Sequence, residues 1–129
     1  MGVEFDTHEV TAFADAITKA SAPARKDLEA VVFKGALNIK RDSSRRIERH
    51  PHWRRIAGAI DFDTFFSLKG PAAEIGPNHS KPQGNLGHIP EYGSPTSAPT
   101  PYMRPAADAE EPRFAKAVED LAVKTLGLE

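Results

Sequence analysis

Cysteine is absent from the 129 residues. That excludes a disulfide scaffold, a thiol nucleophile and any cysteine-ligated metal or cluster. Long apolar runs are also missing, and none approaches the ~18 residues that a membrane-crossing helix needs. The first residues, MGVEFDTHEV, have neither the basic start nor the apolar centre of a secretory leader. They match an N-myristoylation start only weakly, because Asp6 stands where Ser or Thr is wanted. Net charge is −1, which argues against a polycation that coats nucleic acid. There is no GxSxG, no P-loop and no GxGxxG after a strand. What is present, 40% hydrophobic and 27% charged residues, is the composition of an ordinary globular domain rather than a disordered chain. The length suits one domain, residues 1–129.

The near-neutral total hides an uneven distribution. Residues 1–33 carry six acids against three bases, residues 34–55 eight bases against Asp42 and Glu48, and residues 56–129 ten acids against six bases. Nine of the eleven prolines lie between Pro71 and Pro112, and five of the nine glycines between Gly70 and Gly93. The middle therefore reads as turn and loop, and the two ends as helix.

A first helix is predicted after Asp6 or Thr7, with Val10, Phe13, Ala14 and Ile17 at helical spacing. Ser21-Ala22-Pro23 is a restart signal. From there Leu28, Val31, Val32, Gly35, Ala36, Ile39 and Ile47 form one stripe that must stop before Pro51. Gly35 weakens such a helix by ~1 kcal/mol relative to Ala, so it predicts a close neighbour. Ile60, Phe62, Thr64, Phe66 and Leu68 alternate with Asp61, Asp63, Phe65 and Ser67, the pattern of a half-buried strand. Lys69-Gly70-Pro71 reads as a turn and residues 72–76 as a returning strand. Segments 77–87 and 93–101 read as mobile loops. Pro105 opens a last helix over 105–127, with Ala106, Phe114, Ala117, Val118, Leu121, Ala122 and Thr125 on its apolar face and Gly127 near its C-cap.

The expected fold is α+β. A long N-terminal helical segment (1–50) precedes a small antiparallel sheet within 57–104, and a C-terminal amphipathic helix packs on that sheet. A two-stranded hairpin alone is marginal in water. The sheet is therefore expected to gain strands from residues 85–104 or from a neighbouring subunit.

Five histidines (His8, His50, His52, His79 and His88) form no HxxxH pair, so no metal site is predicted; His50, at a helix C-terminus, would suit the negative dipole end as a cation. Asp61 and Asp63 resemble a catalytic carboxylate pair, but a solvated strand face that discourages edge pairing is the simpler account. No catalytic residue and no cofactor is predicted. The basic band is the stronger feature: Lys40, Arg41, Arg45, Arg46, Arg49, Arg54 and Arg55. On a helix Arg41, Arg45 and Arg49 stack at i, i+4 and i+8, where like charges repel. Asp42, Glu48, an acidic partner or phosphate must compensate. Trp53 beside the band reads as core or as an interface anchor.

Three segments carry a resemblance. Ile75-Gly76-Pro77, Glu91-Tyr92-Gly93-Ser94 and Pro101-Tyr102-Met103-Arg104-Pro105-Ala106 resemble, in order and spacing, the minor tail-component family of long-tailed phages, the Hong Kong 97-type tail-completion or neck proteins. The likeness covers roughly residues 57–125. Two departures are Pro51-His52-Trp53-Arg54-Arg55 before the first strand and His88-Ile89-Pro90 before Glu91, the latter making a regular helix there doubtful. The resemblance implies a structural virion protein at the head–tail junction, made in the host cytoplasm. It would form a six- or twelve-fold ring joining the tail-tube and terminator proteins to the head-closure or adaptor proteins, without chemistry and without a membrane. Tail terminator and head-closure (connector) protein are neighbouring alternatives. A nucleic-acid-binding regulator using the basic helix 40–55 is an alternative of another class. Glu91, Tyr92, Gly93, Tyr102, Met103, Arg104 and Trp53 are the interface candidates, with a Glu91–Arg104 ion pair expected within the fold. The basic band is expected to meet acids on the next subunit or DNA in the central channel.

Overall fold

A computed structural model describes residues 22–68 and 70–127. The first predicted helix, the Ser21 cap, His8 and Lys69 lie outside the described residues. The fold is α+β: among the described residues, a two-stranded antiparallel sheet comes between two long helices in chain order.

Helix α1, Ala22–Glu48, buries Leu28, Val32, Ala36, Ile39 and Ile47 from the predicted stripe. Ser43 completes the stripe although it is polar, because its hydroxyl donates to the Lys40 carbonyl at 3.0 Å. The helix stops two residues short of His50-Pro51. His50 then organises the exit: its Nδ1 accepts the backbone N–H groups of His52 and Trp53 at 3.1 and 3.2 Å.

A 3-10 turn, Arg54–Ala59, buries Ile56 and Ala59. Strands β1, Ile60–Ser67, and β2, Gly70–Pro77, follow as a hairpin in the register Ile60↔Pro77 to Ser67↔Gly70. Gly70 and Pro71 lie within β2 instead of the turn. Among the described residues both strands are edges, and an edge tolerates a proline that cannot donate to a ladder. Residues 85–104 add no strand to this sheet; within them there is only an isolated Ser94–Ser97 bridge.

The connection to the last helix carries hydrogen bonds of its own. Asn78 donates from its backbone to Ala59 O at 2.7 Å and from Nδ2 to Asp61 at 3.1 Å. A 3-10 turn at Gly84–Leu86 leads to helix α2, His88–Tyr92. That helix forms despite Pro90, because proline's missing N–H is an orphan in a first turn anyway. Thr100 N donates to Pro90 O at 2.6 Å and closes the Pro-rich loop.

Helix α3, Met103–Leu126, runs antiparallel along α1 and makes two cores with it. One joins Ala36, Ile39 and Ile47 to Ile56, to Ile60 and Ile75 of the sheet, and to Tyr102, Met103 and Ala106. The other joins Ala24 and Leu28 to Val118, Leu121 and Ala122. Between them Asn38 donates to Glu110 Oε2 at 3.0 Å, and the Arg113 guanidinium stands 2.8 Å from the buried Oε1 without a hydrogen bond to it. The neighbour predicted for Gly35 is Phe114, whose ring a Cβ would approach to 3.1 Å.

Candidate interaction surfaces

Seven residues were singled out for partner contact, and the fold divides them. Glu91, Tyr102 and Met103 are buried within the protomer. The Glu91 carboxylate does not pair with the Arg104 side chain. Oε1 accepts the backbone N–H groups of Tyr102 and Met103 at 3.0 and 2.8 Å, and Oε2 accepts that of Arg104 at 3.1 Å. These are the first N–H groups of α3, which have no partner inside the helix, and a carboxylate also suits the positive end of its dipole. Arg104 instead pairs along the helix with Asp108 at 3.1 Å. The expected ion pair is therefore a helix cap built from a residue eleven positions upstream of Tyr102.

Tyr102 donates its hydroxyl to Gly87 O at 2.8 Å. A Cβ on Gly87 would lie 2.9 Å from that hydroxyl, so the position requires glycine. Burial pushes the Tyr102 phenol well above its ordinary 10.0, and the Glu91 carboxylate adds to the shift. Above pH 10 the unfolded phenol ionises while the folded one stays neutral, so stability present below pH 10 is lost as pH rises. Tyr102→Phe is expected to cost about 1 kcal/mol at neutral pH and to flatten this alkaline loss, read by chemical denaturation at about pH 7 and above about pH 10.

Tyr92 points the other way and is 70% exposed. Gly93 adopts φ +80, and its N–H ends α2 on Ile89 O at 2.7 Å. Together with Ser94 to Pro99 these residues line an open depression of about 400 Å³. Trp53 is half-buried against the sheet-side core, with His52 edge-on at 4.5 Å.

Sequence reasoning missed the hairpin tip. Ile60 and Ile75 are buried at its base, but Phe66 is 63% exposed, Leu68 fully so, and Phe65 projects from the other face. A groove of about 480 Å³ separates the tip from the first turns of α1; Phe33, Thr64, Phe66 and Pro71 are among its walls. The available signal was Phe65, an apolar residue on the face that also carries Asp61 and Asp63.

The basic band lies on the outer side of α1. Lys40 reaches Asp61 at 3.8 Å, and Arg46 pairs with Asp42 at 3.1 Å. Arg41, Arg45 and Arg49 are exposed, have no carboxylate partner among the described residues, and line an open cleft of about 930 Å³. Arg54 and Arg55 are exposed on the 3-10 turn. Asp61 also receives Lys81 at 2.9 Å, and hydrogen bonds from Lys81 and Asn78 hold its carboxyl below the ordinary 3.8. Among the described residues no His, Asp or Glu group has the arrangement of a metal site, and no helix is long and apolar enough to cross a membrane.

Comparison with known protein families, with curated proteins and with solved structures finds no match.

Proposed function

We propose that this chain is a structural protein of the neck of a long-tailed bacteriophage. It completes the tail, assembles as a six- or twelve-fold ring, and joins the tail to the head-closure proteins without chemistry. The observation that carries this reading is the hairpin. Its tip exposes Phe65, Phe66 and Leu68 on a sheet that has two strands among the described residues, both of them edges. Exposed apolar surface rimmed by polar residues marks a contact with another protein. Unpaired edges offer a template for further strands. The residues of the Glu91-Tyr92-Gly93 and Met103-Arg104-Pro105 segments support the reading as joinery: Glu91 locks the start of α3 and leaves Tyr92 facing outward.

Imaging of the intact particle at residue resolution tests the proposal. The expected result is a ring of copies between head and tail. Absence of the chain from the particle would sink it.

The exposed arginines favour a second reading, a nucleic-acid-binding regulator. It requires the isolated chain to retard short duplex DNA at low salt, with affinity falling steeply as salt is added. No retardation at low salt removes it.

A further inference from the structure

We propose that Arg41, Arg45 and Arg49 of α1 dock on Asp63 and Glu74 of the hairpin of a second copy, in a head-to-tail contact repeated around an assembly. The self-association stands on the surfaces themselves, and its place in a neck ring rests on the function proposed above.

Within one protomer, carboxylates are assigned to some of the cations in and around the band. Asp42 holds Arg46, Asp61 holds Lys40 and Lys81, and Glu110 holds Arg113. Among the described residues Arg41, Arg45 and Arg49 of α1, like Arg54 and Arg55 of the 3-10 turn, have no carboxylate partner; the first three stand about 6 Å apart along the helix, and like charges at that spacing repel. A matching surplus of opposite sign sits on the hairpin. Asp63 and Glu74 are direct cross-strand partners, both exposed, and no cation reaches either among the described residues. Like charges directly opposite destabilise a sheet. Each surface alone is unfavourable, and each is the counter-charge of the other.

Geometry prevents them from meeting inside one copy. The hairpin turns Phe62 toward α1, where it meets Phe33 edge-on at 5.2 Å. Asp63 is the next residue along the strand, and its cross-strand partner Glu74 shares its face, so both lie on the face opposite Phe62, where Lys40 of α1 reaches Asp61 but, among the described residues, neither Asp63 nor Glu74. The arginines lie two positions beyond the buried Ile39, Ser43 and Ile47, on the far side of α1 from the core. Two complementary patches on different faces of a subunit produce a heterologous contact, which closes into a ring or extends into a filament. Guanidinium forks suit carboxylates through paired N–H donors, so the match is one of shape as well as sign.

The test uses the full chain and measures mass by light scattering at about 50 mM and about 500 mM salt, where screening differs severalfold. Multimers are expected at low salt and protomers at high salt. R45E/R49E and D63K/E74K should each lower the apparent association constant on the order of tenfold or more, with unchanged circular dichroism. Mixed in equal amounts they should associate again, because each contact then pairs opposite charges. R45Q/R49Q, with the charge only removed, should weaken association less than the swap and serves if a swapped chain misfolds. A wild-type chain that stays protomeric at low salt overturns the contact, as does a mixture that fails to associate. So does an R45E/R49E chain that keeps wild-type mass but no longer retards duplex DNA, since the arginines would then serve phosphate. Swaps without effect in a chain found in the virion neck overturn this contact and spare the neck reading. The reverse pattern overturns the neck reading alone.

Discussion

Replacing Glu91 with alanine is expected to lower the midpoint of thermal unfolding by on the order of 10 °C, a loss of about 3 kcal/mol. The size follows from what the carboxylate does. It satisfies three backbone N–H groups at the start of α3, from Tyr102, Met103 and Arg104. Two of those bonds lie in a fully buried setting, where water cannot replace the lost acceptor. A helix cap contributes ~1 kcal/mol, and each buried donor left without a partner adds about 1–3 kcal/mol before relaxation. Glu91→Gln should lose less, because the amide oxygen can still accept from Tyr102 and Met103 while its NH2 group opposes the Arg104 N–H. Arg104→Ala should cost under ~0.5 kcal/mol, since its side chain forms only an exposed pair with Asp108. Circular-dichroism melts should therefore place Glu91→Ala lowest, Glu91→Gln next and Arg104→Ala highest, close to the wild-type chain. An Arg104→Ala chain as unstable as the Glu91→Ala chain would restore the side-chain ion pair as the main interaction.

Gly84→Ala is expected to be comparably damaging, at about 3 kcal/mol or more. A Cβ there would overlap the carbonyl oxygen of Asn78 and lie 2.6 Å from its carbon. That carbonyl is backbone already engaged by the Lys81 N–H at 3.0 Å, so it cannot rotate away without opening the turn. The about 1–3 kcal/mol of ordinary overpacking is therefore a lower bound for this position. Gly58→Ala is the contrast, because nothing lies within 4 Å of a Cβ there. It should leave stability unchanged or raise it by about 0.5 kcal/mol by restricting the unfolded chain. Urea midpoints of the two variants measure the difference.

These two sites mark the boundary of what the residue pattern could reveal. Period and punctuation sufficed for α1, which ends before Pro51, and for a hairpin beginning at Ile60. Both follow from local rules about alternation and proline. Gly35 was also legible, because a glycine inside an apolar stripe demands a neighbour, and Phe114 supplies it. The role of Glu91 was not. An acid and an arginine thirteen residues apart suggest a salt bridge, and nothing local says that the carboxylate meets the arginine's amide instead of its guanidinium. Alternation puts Phe62 and Phe66 on the apolar face of β1 but does not report how far the underlying helix covers that face. The closed loops around Asn78 and Thr100 depend on bonds to Ala59 and Pro90, contacts that polar composition alone does not encode.

Pro112 stands within α3, between Glu110 and Phe114, and lacks the N–H that would bond the Asp108 carbonyl. The same stretch of helix separates the two cores. The two ends of the long helix are thus each anchored to their own core. Amide-exchange protection should fall in a step across Pro112. Val118 to Ala122, held by the smaller core, should open to solvent at lower free energy than Met103 to Ala107. A lever able to loosen at its far end while its root stays fixed can adjust to a neighbour without disturbing the Glu91 lock.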